Sequence, residues 1–176
     1  MSSADYFERL SEAISSVDHG AIKAIVEVLG KVRSKNNTVF LLGNGGSTSI
    51  ASHWACDLNK AGICRALALT DDLPRLLAIA NDIGFDEIFV EQLKTHAESG
   101  DIVIGISGSG KSSNVLRAVG YAKFLGCTTL GVCGFDGGDL KSMVDICFHV
   151  RINDMQIVED TFLAVGHAIV RVLSSI

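Results

Sequence analysis

The chain holds one proline in 176 residues, no run of lysines or arginines, and no Cys-x-x-Cys pair. So little proline excludes a proline-rich linker, and a hydrophobic content of 48% is above what a disordered chain carries. The net charge of −5, without a basic run, argues against a nucleic-acid-binding surface. No apolar stretch is long enough to cross a bilayer. The opening residues, Met1-Ser2-Ser3-Ala4-Asp5-Tyr6, lack the basic and apolar regions of a signal peptide. Together these predict a cytoplasmic protein with no membrane partner. The cysteines, Cys56, Cys64, Cys127, Cys133 and Cys147, are odd in number and mostly sit inside apolar runs. Buried free thiols in a reducing compartment are the expectation. Internal repeats, linkers and low-complexity stretches are also missing.

What is present is a globular composition. Hydrophobic residues make up 48% of the chain, and 18 glycines supply tight turns. The length suits one domain, 1–176, with a real core. Residues 3–34 read as two helices, because Phe7, Leu10, Ile14 and Val17, then Ile22, Ile25, Val26 and Leu29, recur at spacings of three and four. Strands are expected at 38–42, 63–70, 101–106, 128–133 and 145–150. Helices fall between them: 47–60, two within 71–97 broken near Gly84, 112–125, and a short one after residues 134–138. A long helix over 154–173 closes the chain. The strands are continuous apolar runs separated by helices, the pattern of a parallel five-stranded sheet covered on both faces.

Two loops stand out, each after an apolar strand and before a helix. The first is Gly43-Asn44-Gly45-Gly46-Ser47, with Ser47 or Thr48 available as a helix cap. The second is Ser107-Gly108-Ser109-Gly110-Lys111-Ser112-Ser113. Bare backbone N–H groups, small hydroxyls and the positive end of a helix suit an anion. In open parallel sheets ligands bind beyond the carboxyl ends of the strands, where both loops fall. A ligand with a phosphate and further polar groups is expected.

Gly105 to Ser112 also fits G-x-x-x-x-G-K-[ST], the nucleoside-triphosphate pattern. Three features count against that reading. The chain beyond Ser112 is short for the rest of such a fold. No later strand ends in a clear magnesium-binding aspartate. The upstream glycine loop is left unexplained. A kinase therefore rests on Lys111 alone. The first loop lacks the third glycine of a dinucleotide fingerprint, since position 48 is Thr48.

His53 and Asp57 lie four apart, on one face of the helix that follows the first loop. Glu159, Asp160 and His167 lie broadly on one side of the closing helix. Two imidazoles and two carboxylates can hold a divalent metal or move protons beside a sugar carbonyl. Taken singly, each is ordinary surface or core polarity; position beside a phosphate loop singles out His53 and Asp57. Asp82, after Asn81, can either cap the next helix or reach a substrate hydroxyl. Trp54 reads as packing. The apolar stripe of the first two helices exceeds what one sheet edge needs, which predicts an oligomer.

Leu42 to Ser47, then His53, then Asp101 to Val115, resemble the sugar isomerase (SIS) domain family and within it the phosphoheptose isomerases. The resemblance runs nearly the whole chain. It implies a flavodoxin-like three-layer sandwich and a homotetramer with sites at subunit interfaces. It implies an aldose–ketose isomerase acting on a phosphorylated sugar, sedoheptulose 7-phosphate, through an enediol. A non-catalytic phosphosugar-binding or protein-interaction module is the alternative within the family. Asn44, Gly45, Ser47, Ser107, Gly108, Ser109 and Ser112 would hold the phosphate and nearby hydroxyls. Asp82, Gln156 and Glu159 would contact the sugar. His53, Asp57, Glu159 and His167 would bind a divalent metal, zinc by resemblance, with Asp57 and His167 catalytic. The chain departs from the family pattern at Asp57 (glutamate there), Gln156 (aspartate), Glu159 (glutamine), and Gly108 and Lys111 (threonine and asparagine).

Overall fold

The computed structural model describes residues 2–175. Two helices open it, α1 (Ser3–Ser15) and α2 (His19–Leu29). Five strands follow: β1 (Thr38–Gly43), β2 (Arg65–Ala68), β3 (Ile102–Ser107), β4 (Thr128–Cys133) and β5 (Ile146–His149). Between them run α3 (Gly46–Lys60), α4 (Leu73–Asp82), α5 (Val90–His96), α6 (Ser113–Leu125) and α7 (Leu140–Met143), and α8 (Met155–Leu173) ends the fold. All pairings are parallel, in the order β2-β1-β3-β4-β5. This is the flavodoxin-like order, and its chain reversal lies between β1 and β3.

The continuous apolar strands arise because both faces of the sheet are covered. In β1, Val39 and Leu41 point into a core shared with α2, α3 and α8. Phe40 and Leu42 point the other way, into a core shared with α5, α6 and α7. One-residue alternation thus feeds two cores, so no polar side is needed.

The second strand is shorter than the expected 63–70. Ile63 N–H closes the end of α3 on the Leu58 carbonyl, and Gly62 turns the chain at φ +66°. As an edge strand β2 leaves Arg65 and Leu67 exposed and buries only Ala66 and Ala68. The break between the first helices falls at Asp18, which caps α2 by accepting from the Gly20 and Ala21 N–H groups.

The apolar stripe of α1 and α2 divides. Ile25 and Leu29 belong to the chain's own core, whereas Phe7 stays 66% exposed and Ile14 42%. A second exposed apolar set was not anticipated: Leu67 on β2, Leu73 and Leu77 on α4, then Ile83 and Phe85. No residue of α4 is buried. Among the described residues no helix is long and apolar enough to cross a membrane.

Candidate active site

The β1 and β3 carboxyl ends carry the two glycine loops side by side. Gly43 pairs with Ile106 across the strands. A Cβ on Gly43 would stand 2.8 Å from the Ile106 carbonyl oxygen and from Ser47 Cβ, so only glycine lets the loops approach this closely. An amide pair then ties them. Asn44 Nδ2 donates to Asn114 Oδ1 (2.8 Å), and Asn114 Nδ2 donates back to Asn44 Oδ1 (3.0 Å). Asn114 is buried in the first turn of α6, where its oxygen also accepts the Val115 N–H. Sequence reasoning missed Asn114. Only its place two residues after Ser112 hinted at it.

Neither helix that begins here has a side-chain hydrogen bond at its cap. Gly45, not Ser47 or Thr48, is the N-cap of α3, with φ +55°. Thr48 Oγ1 donates instead to the Gly43 carbonyl, and Ser47 is buried within the first turn. Ser112 is the N-cap of α6, but its hydroxyl meets that of Ser107 at 3.1 Å. In the first turns the Ser47 and Thr48 N–H groups bond the Asn44 and Gly45 carbonyls and the Val115 N–H bonds the Asn114 side chain. This leaves the Gly46, Ser113 and Asn114 N–H groups without side-chain caps beside a cluster of hydroxyls, an arrangement that suits an anion. Ser109 Oγ accepts the Lys111 N–H and turns the loop. Gly108 packs on Met155, whose sulfur would lie 2.4 Å from an added Cβ. Gly110, at φ +66°, leaves no room for one beside the Gly137 carbonyl.

Lys111 does not serve this cradle. Its Nζ pairs with Asp136 Oδ2 at 2.9 Å on the exposed rim, and the ammonium holds that carboxyl below its ordinary range. The triphosphate pattern is therefore matched in spelling while its lysine is engaged elsewhere.

The second feature lies where α3 runs beside α8. Their close approach depends on Gly166, against which the Trp54 indole is laid; a Cβ there would be 2.0 Å from Trp54 Nε1. This contact brings His53 and Asp57 opposite His167. The His53 and His167 Nε2 atoms are 2.9 Å apart, and Asp57 Oδ2 lies 3.4 Å from the first and 3.7 Å from the second. All three offer a ligand atom within 4.8 Å of one another. A tetrahedral ion with ligands at about 2.1 Å has donor–donor edges of about 3.4 Å. Both aspartate edges fit, and the two imidazoles need to part by about half an ångström. Donors of this kind, N₂O, suit a divalent transition-metal ion.

Glu159 is not a member of this group. It lies on α8 nearer the loops, its carboxylate so close over Gly46 that a Cβ there would meet Oε1 at 2.3 Å. The resemblance grouped it with the metal ligands, but its carboxylate instead faces the start of α3. Eight residues of helix carry it about 12 Å along the axis from His167, which explains the separation. Burial pushes the Glu159 carboxyl above its ordinary range, and the charge of Asp160 adds to this. A raised carboxyl in the folded chain binds its proton more tightly than in the unfolded chain. Stability contributed by the group is then lost as pH rises through the folded value. Glu159→Gln is expected to raise the melting temperature more at pH 7 than at pH 4, read by calorimetry at both.

Gln156 is exposed in the first turn of α8. Asp82 is the last residue of α4, exposed, and accepts a 2.8 Å bond from Asn81; it caps no following helix. The start of α8 is fixed from α1: Arg9 pairs with Asp154 at 2.9 Å, and the Tyr6 hydroxyl donates to Asp160 at 2.6 Å.

A parallel α/β sheet with paired phosphate-type loops at its switch point, and a His/Asp/His cluster between the helices flanking them, defines a phosphosugar-handling class rather than a nucleotide kinase. The comparisons agree. The SIS domain family matches residues 4–134. A phosphoheptose isomerase of Aliarcobacter butzleri is 37% identical over 88% of this chain and 82% of its own length. Phosphoheptose isomerases of Neisseria gonorrhoeae and Francisella tularensis have solved structures that superpose with a TM-score of 0.92 each. The first is 28% identical over 98% of this chain and 97% of its own, the second 27% over 100% of both. The chain belongs to the SIS domain family, within its phosphoheptose isomerases.

Proposed function

We propose that the protein is an aldose–ketose isomerase that converts sedoheptulose 7-phosphate to a heptose 7-phosphate, a precursor of surface polysaccharide. One observation carries this reading: α3 begins in the first anion loop and brings His53 and Asp57, farther along, against His167 of α8. Seven residues of helix separate Gly46 from His53, about 10 Å of rise. The phosphate end and the reacting end of one extended sugar are thereby served by one rigid element.

In this reading Ser107, Ser109, Ser112 and Ser47, with the N–H groups of Gly46, Ser113 and Asn114 that open α3 and α6, hold the phosphate. Asn44 and Asn114, locked together, orient the neighbouring hydroxyls. Gly45 and Gly108 allow the backbone to approach, and Asp82, Gln156 and Glu159 contact the sugar. Asp57 removes the proton from the carbon beside the carbonyl and returns it to the adjacent carbon. His167 passes a proton between the two oxygens, so that an enediol connects ketose and aldose. His53, Asp57 and His167 would hold a divalent ion, proposed as zinc, which supplies polarisation of the carbonyl and offsets charge on the enediolate. The retained cluster favours an enzyme over a phosphosugar-binding module. The high structural coverage supports one SIS domain over 1–176, and the free cysteines suit a reducing, cytoplasmic setting.

The test is direct. Purified protein given sedoheptulose 7-phosphate should yield an aldose 7-phosphate visible by NMR. The doubly substituted Ser109→Ala, Ser112→Ala protein should raise KM at least tenfold by removing charge-assisted bonds to phosphate. No product from the intact protein across a panel of sugar phosphates would leave the binding-module reading in its place.

We also propose a homotetramer. Support comes from the apolar residues left exposed on α1 and around α4, Phe7, Ile14, Leu73, Leu77 and Phe85, which a single chain does not cover. Sedimentation velocity at micromolar concentration should give four chains. Phe85→Asp combined with Leu77→Asp should shift the boundary to smaller species, and a monomeric parent protein would reject the assembly.

A further inference from the structure

Cys133 ends β4 and Cys147 lies in β5. The register pairs Cys133 with His149 and Gly131 with Cys147, so the two cysteines are diagonal neighbours on one side of the sheet. Their sulfurs are 3.5 Å apart. Cys133 is fully buried, whereas Cys147 is half-buried and lines a cavity of about 470 Å³ shared with Lys141, His149, Arg151 and Asp18. The other two interior thiols have no sulfur partner, Cys127 donating to the Glu98 carbonyl at 3.4 Å, and burial pushes Cys64 and Cys127 up to about 11. The paired thiols differ from these and from each other. The bond from Cys133 lowers Cys147 below its ordinary range; burial opposes this and Lys141 reinforces it. Its partner Cys133 is driven up by that same bond and by burial. A cavity-lining sulfur thus sits in contact with a buried one, so an incoming reagent reaches Cys147 first. Neither takes part in the isomerase chemistry.

We propose that Cys133 and Cys147 form a reversible dithiol–disulfide site whose co-reactant is the disulfide of a low-molecular-weight thiol. The Cys147 thiolate attacks one sulfur of RS–SR, forming Cys147–S–SR and releasing RS⁻. Cys133 then loses its proton and its sulfur displaces the second RS⁻, closing the Cys133–Cys147 bond. Two protein thiols are oxidised and one external disulfide is reduced to two thiols. The sulfurs must close from 3.5 Å to about 2.05 Å. The movement falls next to the phosphate cradle: Gly134, the residue after Cys133, donates its N–H to the Gly108 carbonyl at 2.8 Å. The Cys133 carbonyl accepts the Val150 N–H at 2.9 Å, fixing the same corner. Drawing Cys133 toward β5 loosens the support of the second loop, so the oxidised form should bind sugar phosphate less well.

The experiment uses the full chain carrying Cys56→Ser, which removes the exposed thiol. After incubation with oxidised glutathione and alkylation under denaturing conditions, two of the four remaining cysteines should resist alkylation. Peptide mapping should join Cys133 to Cys147. Adding Cys133→Ser should trap one glutathione on Cys147, whereas adding Cys147→Ser should leave Cys133 without an adduct. Cys133→Ala replaces the serine variant if that does not fold. Four alkylated thiols after oxidation, or an adduct on Cys133 as readily as on Cys147, would overturn the site. A second readout rests on the isomerase reading: KM for sedoheptulose 7-phosphate should rise severalfold on oxidation and return with dithiothreitol. An unchanged KM in chemically verified disulfide protein would overturn the link to the loop, whatever the fate of the isomerase assignment, which the reduced protein tests separately.

Discussion

His53→Ala and His167→Ala are each expected to lose bound metal and to lower turnover by about 10²- to 10⁴-fold, the range for removing a positioned acid–base group. Both side chains are about half exposed, at 47% and 50%. Truncation therefore opens no core cavity, and melting temperature should stay near that of the parent without metal. Metal content by elemental analysis and turnover by NMR check the two halves separately. Activity retained in either variant would remove the cluster from the mechanism. Asp57 gives the complementary case. Asp57→Glu lengthens the carboxylate by one methylene and reproduces the residue usual in the family. If the heptose is the natural substrate, turnover should hold or rise. A fall on the heptose together with activity on another sugar phosphate would mean that the shorter side chain is matched to that sugar. Misplacement on the ångström scale is enough to cost about a hundredfold.

The parts of the site that follow from local order were readable from the chain. The strands β1, β3 and β4 are apolar on both sides, so their positions and the loops after them are set by composition alone. His53 and Asp57 share a face through helical spacing. The edge strand β2 was overextended because an apolar run does not reveal that one flank lacks a neighbour. Relations across the fold were not readable. Nothing in the spelling of α8 places Glu159 over Gly46 while His167 meets His53. The reciprocal bonds of Asn44 and Asn114 join positions 70 residues apart. The contact of Cys133 with Cys147 depends on strand register, which no Cys-x-x-Cys spacing announces. In the same way the stripe on α1 and α2 predicted a buried face, but only packing decides that Ile25 and Leu29 face inward while Phe7 does not.

Gly166→Ala is expected to damage stability and the histidine cluster together. The added Cβ would stand 2.0 Å from Trp54 Nε1, 2.3 Å from Cε2 and 2.5 Å from Cδ1, all in a ring only 3% exposed. The indole cannot move aside without displacing α3 from α8. Overpacking of this kind costs about 1–3 kcal/mol, which for a chain of this size lowers the melting temperature by about 2–12 °C. The loss should not stop at stability. Trp54 adjoins His53, and Gly166 adjoins His167, so a wider helix spacing parts the two imidazoles that now stand 2.9 Å apart. Metal affinity and turnover should fall together even at temperatures where the variant is folded. Trp54→Phe supplies the control. It removes the indole nitrogen, whose N–H is buried without a partner among the described residues, and so sacrifices no hydrogen bond. In the double variant the smaller ring makes room for the methyl. Its stability and metal affinity should therefore exceed the sum of the two single effects by at least about 1 kcal/mol in a double-mutant cycle. Strict additivity, or a Gly166→Ala protein with parental metal affinity, would show that the Trp54 contact does not set the spacing of His53 and His167.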